Sequence, residues 1–181
     1  MARLPILTHP HPVLRQKAAP VTAMTPELVK LIEDMAETMY TDDGVGLAAP
    51  QVGASIRLIV CDPVATEEQG KNLLVLFNPE IVKREGELEW EEGCLSVPGV
   101  KGWVARSEKV TVKALDQNLE PVTIEGDDLT AVCLQHEIDH LDGVLFFDRI
   151  GPLKRKFLLK DYDKKRREAA EKAAEKAAEK M

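Results

Sequence analysis

Apolar residues first recur at helical spacing at Leu28, Leu31, Ile32, Met35 and Met39, directly behind Thr25 and Pro26. A threonine hydroxyl can cap a free backbone N–H, and proline lacks the N–H that a first turn would leave unused. The pattern therefore predicts an amphipathic helix with one face on a core, ended by Gly44. A run of small residues follows, Gly44-Val45-Gly46-Leu47-Ala48-Ala49-Pro50-Gln51-Val52-Gly53. Its backbone can approach a ligand closely. No apolar strand leads into it and it lacks a Lys-Ser/Thr ending, so a phosphate loop is excluded.

Short β-rich stretches come next, at 56–61, 73–77, 104–106, 110–115 and 122–124. Asp116-Gln117-Asn118 reads as a hairpin connection, and no helix-length crossover separates consecutive strands, so antiparallel pairing is expected. From Asp127 and Asp128, which offer N-caps, a helix is predicted to about Leu141, with Gly143 as its stop. Leu129, Val132 and Cys133 share a face with His136 and His140, while Ala131, Leu134, Ile138 and Leu141 are apolar on the other side. A helix this greasy all round belongs in the centre of a domain. The last predicted helix starts near Pro152 and runs into Glu-Lys-Ala-Ala repeats. Alanine favours that helix, but the repeat stacks Glu171, Glu175 and Glu179 on one ridge and Lys172, Lys176 and Lys180 on the next, so fraying toward Met181 is expected. The fold class is α+β: short antiparallel β-sheets around a central buried helix, with an N-terminal amphipathic helix and a C-terminal basic helix. Residues 1–151 form the body, and 152–181 a helix and tail of the same domain.

Composition narrows the class. With 181 residues the chain can bury a core unaided, and eight aromatics are too few for a single-strand nucleic-acid platform. Cys61, Cys94 and Cys133 are odd in number and lack framework spacing, which suits reduced thiols in the cytoplasm. The start of the chain, with Leu4-Pro5-Ile6-Leu7, is too short and broken for a signal segment, and no run is long enough to span a membrane. Charge is uneven: residues 1–151 carry 13 Lys+Arg against 25 Asp+Glu, and residues 152–181 carry 11 against 6. The tail is a basic appendage on an acidic body, suited to a polyanionic partner or simply to a solvated helix face.

His136-Glu137-Ile138-Asp139-His140 holds the chemistry. Two imidazoles one turn apart on a helix can bind one metal ion, and Glu137 beside them can reach a water. The plain alternative, two buried histidines satisfied by carbonyls, is weakened by the cost of burying two histidines and a glutamate without partners. A catalytic site needs a third ligand, and no histidine follows His140; the upstream candidates are His9, His11, Cys61, Cys94 and Cys133. Cys133 would force three ligands from one helix and suits an apolar wall. Cys61 ends an apolar strand and reads as core. His9 and His11 lie among prolines in a surface segment with no partner evident. Cys94 is favoured by the glycine before it, without being decided by spacing.

Three segments together, Gly44 to Gln51, Glu92-Gly93-Cys94-Leu95-Ser96 and Gln135-His136-Glu137-Ile138-Asp139-His140-Leu141-Asp142-Gly143, resemble the signature motifs of peptide deformylases in their usual order. The similarity runs from about Leu4 to Lys165 and has the bacterial form with a C-terminal helix. The resemblance implies a hydrolase that removes formate from N-formyl-methionyl nascent peptides in the cytoplasm. It also implies Cys94, His136 and His140 as metal ligands with water as the fourth, and Glu137 as the general base. Gln51 and the backbone N–H of Leu95 would donate to the oxyanion. Gly44, Val45, Gly46, Glu92, Leu129, Val132 and Cys133 would contact the substrate. Asp139 reads either as a solvated helix residue or as a structural partner of the ligand residues with no place assigned, and Trp90 stands where the family usually has a smaller aliphatic residue. The implied metal is Fe2+, with Ni2+, Co2+ or Zn2+ able to replace it, and the C-terminal helix is implied to dock on the ribosome; no membrane or specific DNA partner is expected. Two rival sites are a zinc peptidase using Asp161 or Asp163 as third ligand, and a closed structural site of Cys94, Cys133, His136 and His140.

Overall fold

The structure, a computed structural model, describes residues 1–64 and 70–181. Helix α1 spans Pro26–Thr41, and the Thr25 side chain accepts from Leu28 N at 3.2 Å as its cap. Seven strands follow: β1 (Gly46–Ala48), β2 (Leu58–Cys61), β3 (Leu74–Glu85), β4 (Leu88–Cys94), β5 (Val97–Arg106), β6 (Lys109–Leu115) and β7 (Pro121–Asp127). Helix α2 is Asp128–Leu141 and helix α3 is Pro152–Glu179. Five strands form one antiparallel sheet in the order β1-β2-β3-β6-β7, and β4 and β5 pair as a separate ribbon.

Strand β2 shows how this sheet is held. All of Leu58, Ile59, Val60 and Cys61 are buried, and alternation sends them to two cores. Ile59 and Cys61 join Leu76, Ala131, Leu134 and Ile138 under α2, while Leu58 and Val60 join Met35, Met39, Val75 and Phe77 under α1. The sheet is therefore a filling between two helices, which explains the uninterrupted apolar run. A third cluster, Val100, Val104, Phe146, Phe147, Ile150 and Tyr162, seats the ribbon and the start of α3 on the body. Tyr162 also donates its hydroxyl to the His9 carbonyl at 2.7 Å, tying α3 to the N-terminal segment.

The expectation of uniformly short strands is corrected at two places. Strand β3 continues twelve residues to Glu85, because Asn78-Pro79, a turn signal by composition, makes a register shift instead of a stop. Asn78 sits at φ 50° and its amide clamps both backbone groups of Val21, at 2.8 Å each. Strand β5 starts at Val97, and β4 and β1 were not foreseen. Helix α2 has the expected bounds, but Asp127 occupies its N-cap without a side-chain cap bond, and Asp128 lies at φ 46°. Gly143 follows at φ 72°, where a Cβ would come within 2.6 Å of the Arg15 carbonyl oxygen. The hairpin at Asp116 is as expected, its carboxylate accepting from Asn118 N and Glu120 N. Helix α3 continues through the Glu-Lys-Ala-Ala repeats to Glu179. The opposite charges at Lys172/Glu175 and Lys176/Glu179, one turn apart, offset the like-charged ridges.

Candidate metal centre

Helix α2 carries His136 and His140 on one side, and the end of β4 brings Cys94 against them. One ligand atom from each of the three lies within 4.8 Å of the others, with Cys94 Sγ 3.3 Å from His140 Nε2. His136 Nδ1 donates to Glu92 Oε1 at 2.8 Å, which leaves its Nε2 as the free nitrogen. A thiolate and two imidazoles are a donor set that suits a borderline divalent ion. Burial, then the positive charge of neighbouring His136, hold the His140 pKa well below normal, so its ring is neutral, as a ligand must be. For His136 burial acts in the same sense, but hydrogen bonds with Cys94 and Glu92 outweigh it and raise the pKa.

Glu137 is buried between this group and β1. Burial pushes its pKa up to about 7, and its Oε2 has no hydrogen-bond partner. An orphaned buried carboxylate oxygen beside three convergent ligand atoms fits a site completed by an ion and a water. The backbone approach is close: a Cβ at Gly46 would stand 2.6 Å from Glu137 Oε1 and 2.8 Å from Cys133 Sγ. Gln51 is pinned by Ala48 N donating to its Oε1 at 2.9 Å, which turns Nε2 toward Ser96 Oγ at 3.1 Å and Cys94 Sγ at 3.7 Å. Leu95 follows Cys94 in the turn between β4 and β5, and its side chain lies against Gly44.

The group opens on a cleft of about 930 Å³ lined by Gly44, Val45, Gly46, Leu129, Val132 and Cys133, with Trp90 also on its wall. Glu92, expected to contact substrate, lines the cleft too, but its carboxylate turns inward to Arg106 and His136. Helix α3 contributes Leu158, Asp161 and Lys165, and Lys165 Nζ donates to the Gly99 carbonyl at 2.7 Å. Asp139 is placed by contacts that no motif announces: it accepts from Arg106 and from Arg149. Arg106 is the residue that sequence reasoning missed, since its partners lie 14 and 33 residues away. His9 is corrected as well. Its ring packs edge-on against Phe147 at 5.1 Å and near Tyr162, so it is a packed residue and not a loose surface one. His11 is exposed and caps the 3-10 turn at Pro12–Arg15. Among the described residues, neither Cys133 nor Asp161 nor Asp163 joins the ligand group, and Asp161 is paired with Lys165. Both rival sites lose their extra ligand.

The family model for polypeptide deformylases matches residues 3–156. The chain belongs to the peptide deformylase family. Relatives named peptide deformylase include that of Thermodesulfovibrio yellowstonii, 50% identical over 166 residues that cover 92% of this chain and 100% of that protein. The one from Syntrophobacter fumaroxidans is 48% identical over 169 residues, 93% and 99%. Among solved structures, a Legionella pneumophila peptide deformylase superposes with a TM-score of 0.88 at 51% identity, covering 93% of this chain and 98% of that one. A Synechococcus elongatus deformylase in complex with actinonin gives 0.84 at 43% identity, covering 89% and 88%. As a peptide deformylase, the chain is an amide hydrolase that removes the N-terminal formyl group from nascent peptides. Its α+β architecture is that of the solved family members.

Proposed function

We propose that hydrolysis runs at a divalent metal ion held by Cys94, His136 and His140, Fe2+ in the cell, with Ni2+, Co2+ or Zn2+ as possible replacements. The observation that carries this reading is the convergence of those three ligand atoms beside the unpartnered Glu137 oxygen. When bound, such an ion polarises the formyl carbonyl and makes water a stronger nucleophile near neutral pH. Glu137 takes the proton of the attacking water and delivers it to the leaving amine. A carboxyl placed next to the ligand group and shielded from bulk water is suited to both acts. The Gln51 amide and the Leu95 N–H donate to the developing oxyanion, the former pre-aimed by its bond to Ala48. The peptide lies extended along Gly44, Val45 and Gly46, the last of which opens the edge strand β1, and its methionine side chain enters the apolar pocket of Leu129, Val132 and Cys133. Glu92 shapes that pocket's floor from behind through His136.

Residues 1–151 are the catalytic body, and 152–181 a helix and tail of the same domain. Among the described residues no helix is long and apolar enough to cross a membrane. A cytoplasmic enzyme acting near the ribosome is consistent with the basic stripe Lys154 to Arg167, which carries eight Lys and Arg against Asp161 and Asp163. The test is formate release from formyl-Met-Ala, with and without chelator, alongside elemental analysis of Cys94→Ala. Loss of turnover on chelation and loss of metal in the variant are expected. Undiminished metal in Cys94→Ala would refute the ligand set.

A further inference from the structure

Behind the metal-facing side of α2, five side chains make one continuous chain. Arg149 donates to both oxygens of Asp139, at 2.6 and 2.7 Å, and Arg106 Nη1 donates to Asp139 at 2.7 Å. The other edge of the Arg106 guanidinium makes two bonds of 2.9 Å to the two oxygens of Glu92, which accepts in turn from His136 Nδ1 at 2.8 Å. The side chains of Arg106 and Glu92 are 2% and 3% exposed.

Stripping such ions of water costs several kcal/mol each, and apolar side chains of similar size commonly stabilise a core at least as well. Stability alone therefore does not account for the array; its placement does. Glu92 lies two residues before Cys94 on β4, while Asp139 lies beside His140 on α2, so Arg106 is a strut between the strand that presents the thiolate and the helix that presents the imidazoles. We propose that Arg106 is a positioning residue of the metal centre: its fork fixes Glu92, and through Glu92 the ring of His136, with Asp139 and Arg149 anchoring the fork to the helix. A lysine carries the same charge but cannot hold two carboxylates in fixed planes.

This inference rests on the metal-centre reading, and the experiment separates the two. Chelator-stripped protein is titrated with Co2+ alone, following the visible thiolate and ligand-field bands. Wild type that binds no stoichiometric Co2+ would defeat the metal reading itself. With wild type binding, Arg106→Lys is expected to bind Co2+ roughly 10- to 100-fold more weakly, with shifted bands. A merely structural arginine would lower Tm and leave the affinity and spectrum of the folded variant unchanged, and that result overturns the proposal. Should Arg106→Lys fail to fold by near-UV circular dichroism, Asp139→Asn decides. It keeps the volume and removes the charge that anchors the fork. Several-fold weaker Co2+ binding supports the strut, and wild-type binding overturns it.

Discussion

Eleven of the 14 residues of α2 are buried, including Gln135, His136, Glu137, Asp139 and His140, whereas the 28-residue α3 buries Tyr162 alone. Both helices are rich in ionisable groups, yet they spend them differently. In α2 each buried charge has a partner or faces the Cys94, His136 and His140 group, because an unpaired ion in the interior costs several kcal/mol. In α3 the charges stand in water, where a single pair such as Asp161–Lys165 contributes at most about 1 kcal/mol. The difference teaches where change should matter. A charge deleted from α2 alters chemistry, and one deleted from the exposed part of α3 alters little within the molecule.

The largest effect is expected from Glu137→Gln, which keeps the shape and removes the proton carrier. Turnover of formyl-Met-Ala should fall by roughly 10²- to 10⁴-fold with metal content unchanged. Near-normal kcat would place the proton chemistry elsewhere and erase the contrast between the helices. Next comes Gly46→Ala, which probes the same carboxylate from β1. A methyl at 2.6 Å from Glu137 Oε1 and 2.8 Å from Cys133 Sγ must displace one of them. The overpacking should cost about 1–3 kcal/mol and reduce kcat more than it raises KM. Wild-type kcat and Tm together would show that the close approach has no consequence.

What was legible in the sequence follows the same division. The α1 stripe from Leu28 to Met39 and the buried character of α2 could be read because each lies within one helix, where spacing translates directly into a face. That His136 and His140 share one face was readable for that reason, whereas placing Cys94 with them needed the family resemblance. Strand β4 was hard to read, since Leu88-Glu89-Trp90-Glu91 alternates for only four residues before the buried Glu92 breaks the pattern, and Glu92 turns inward to meet Arg106 and His136, which lie far off in the sequence. So was the length of β3, whose break at Asn78 is supported by Val21, 57 residues away. Long-range pairing of polar groups leaves no local period.

A smaller effect concerns pH and tests whether burial governs α2. In chelator-stripped protein Glu137 holds its proton up to about 7, while in the unfolded chain it releases it near 4.5. Its contribution is fully present below 4.5 and is lost as pH rises to 7, because there the folded state alone still binds the proton. The full loss amounts to about 3 kcal/mol. Urea unfolding of stripped wild type and Glu137→Gln, measured between pH 4.5 and 8, should show the variant losing less stability across that window. Parallel curves would mean that burial does not raise this carboxyl.

The smallest effect within the molecule is expected at the far end of α3. Residues 168–181 are exposed throughout, while Leu158, Asp161 and Lys165 wall the cleft and Tyr162 locks the helix to His9. A chain ending at Arg167 should therefore keep its kcat/KM on small formyl peptides within twofold and its Tm within a degree or two. A cut before Lys164 is a different experiment, because it removes the Lys165 bond to Gly99 on the cleft rim. The basic stripe is then tested on the full chain by Lys156→Glu with Lys160→Glu, two exposed positions outside the cleft lining. If the stripe docks on ribosomal RNA, reversing two of its charges should weaken ribosome co-sedimentation and flatten its dependence on salt, since fewer counterions are released. Turnover of formyl-Met-Ala should not move, for neither lysine is near Glu137 or the ligand group. Unchanged co-sedimentation would assign the stripe to solubility alone. Lost turnover would show that α3 supports the catalytic cleft beyond its Lys165 contact, and the two helices would then differ less than their burial suggests.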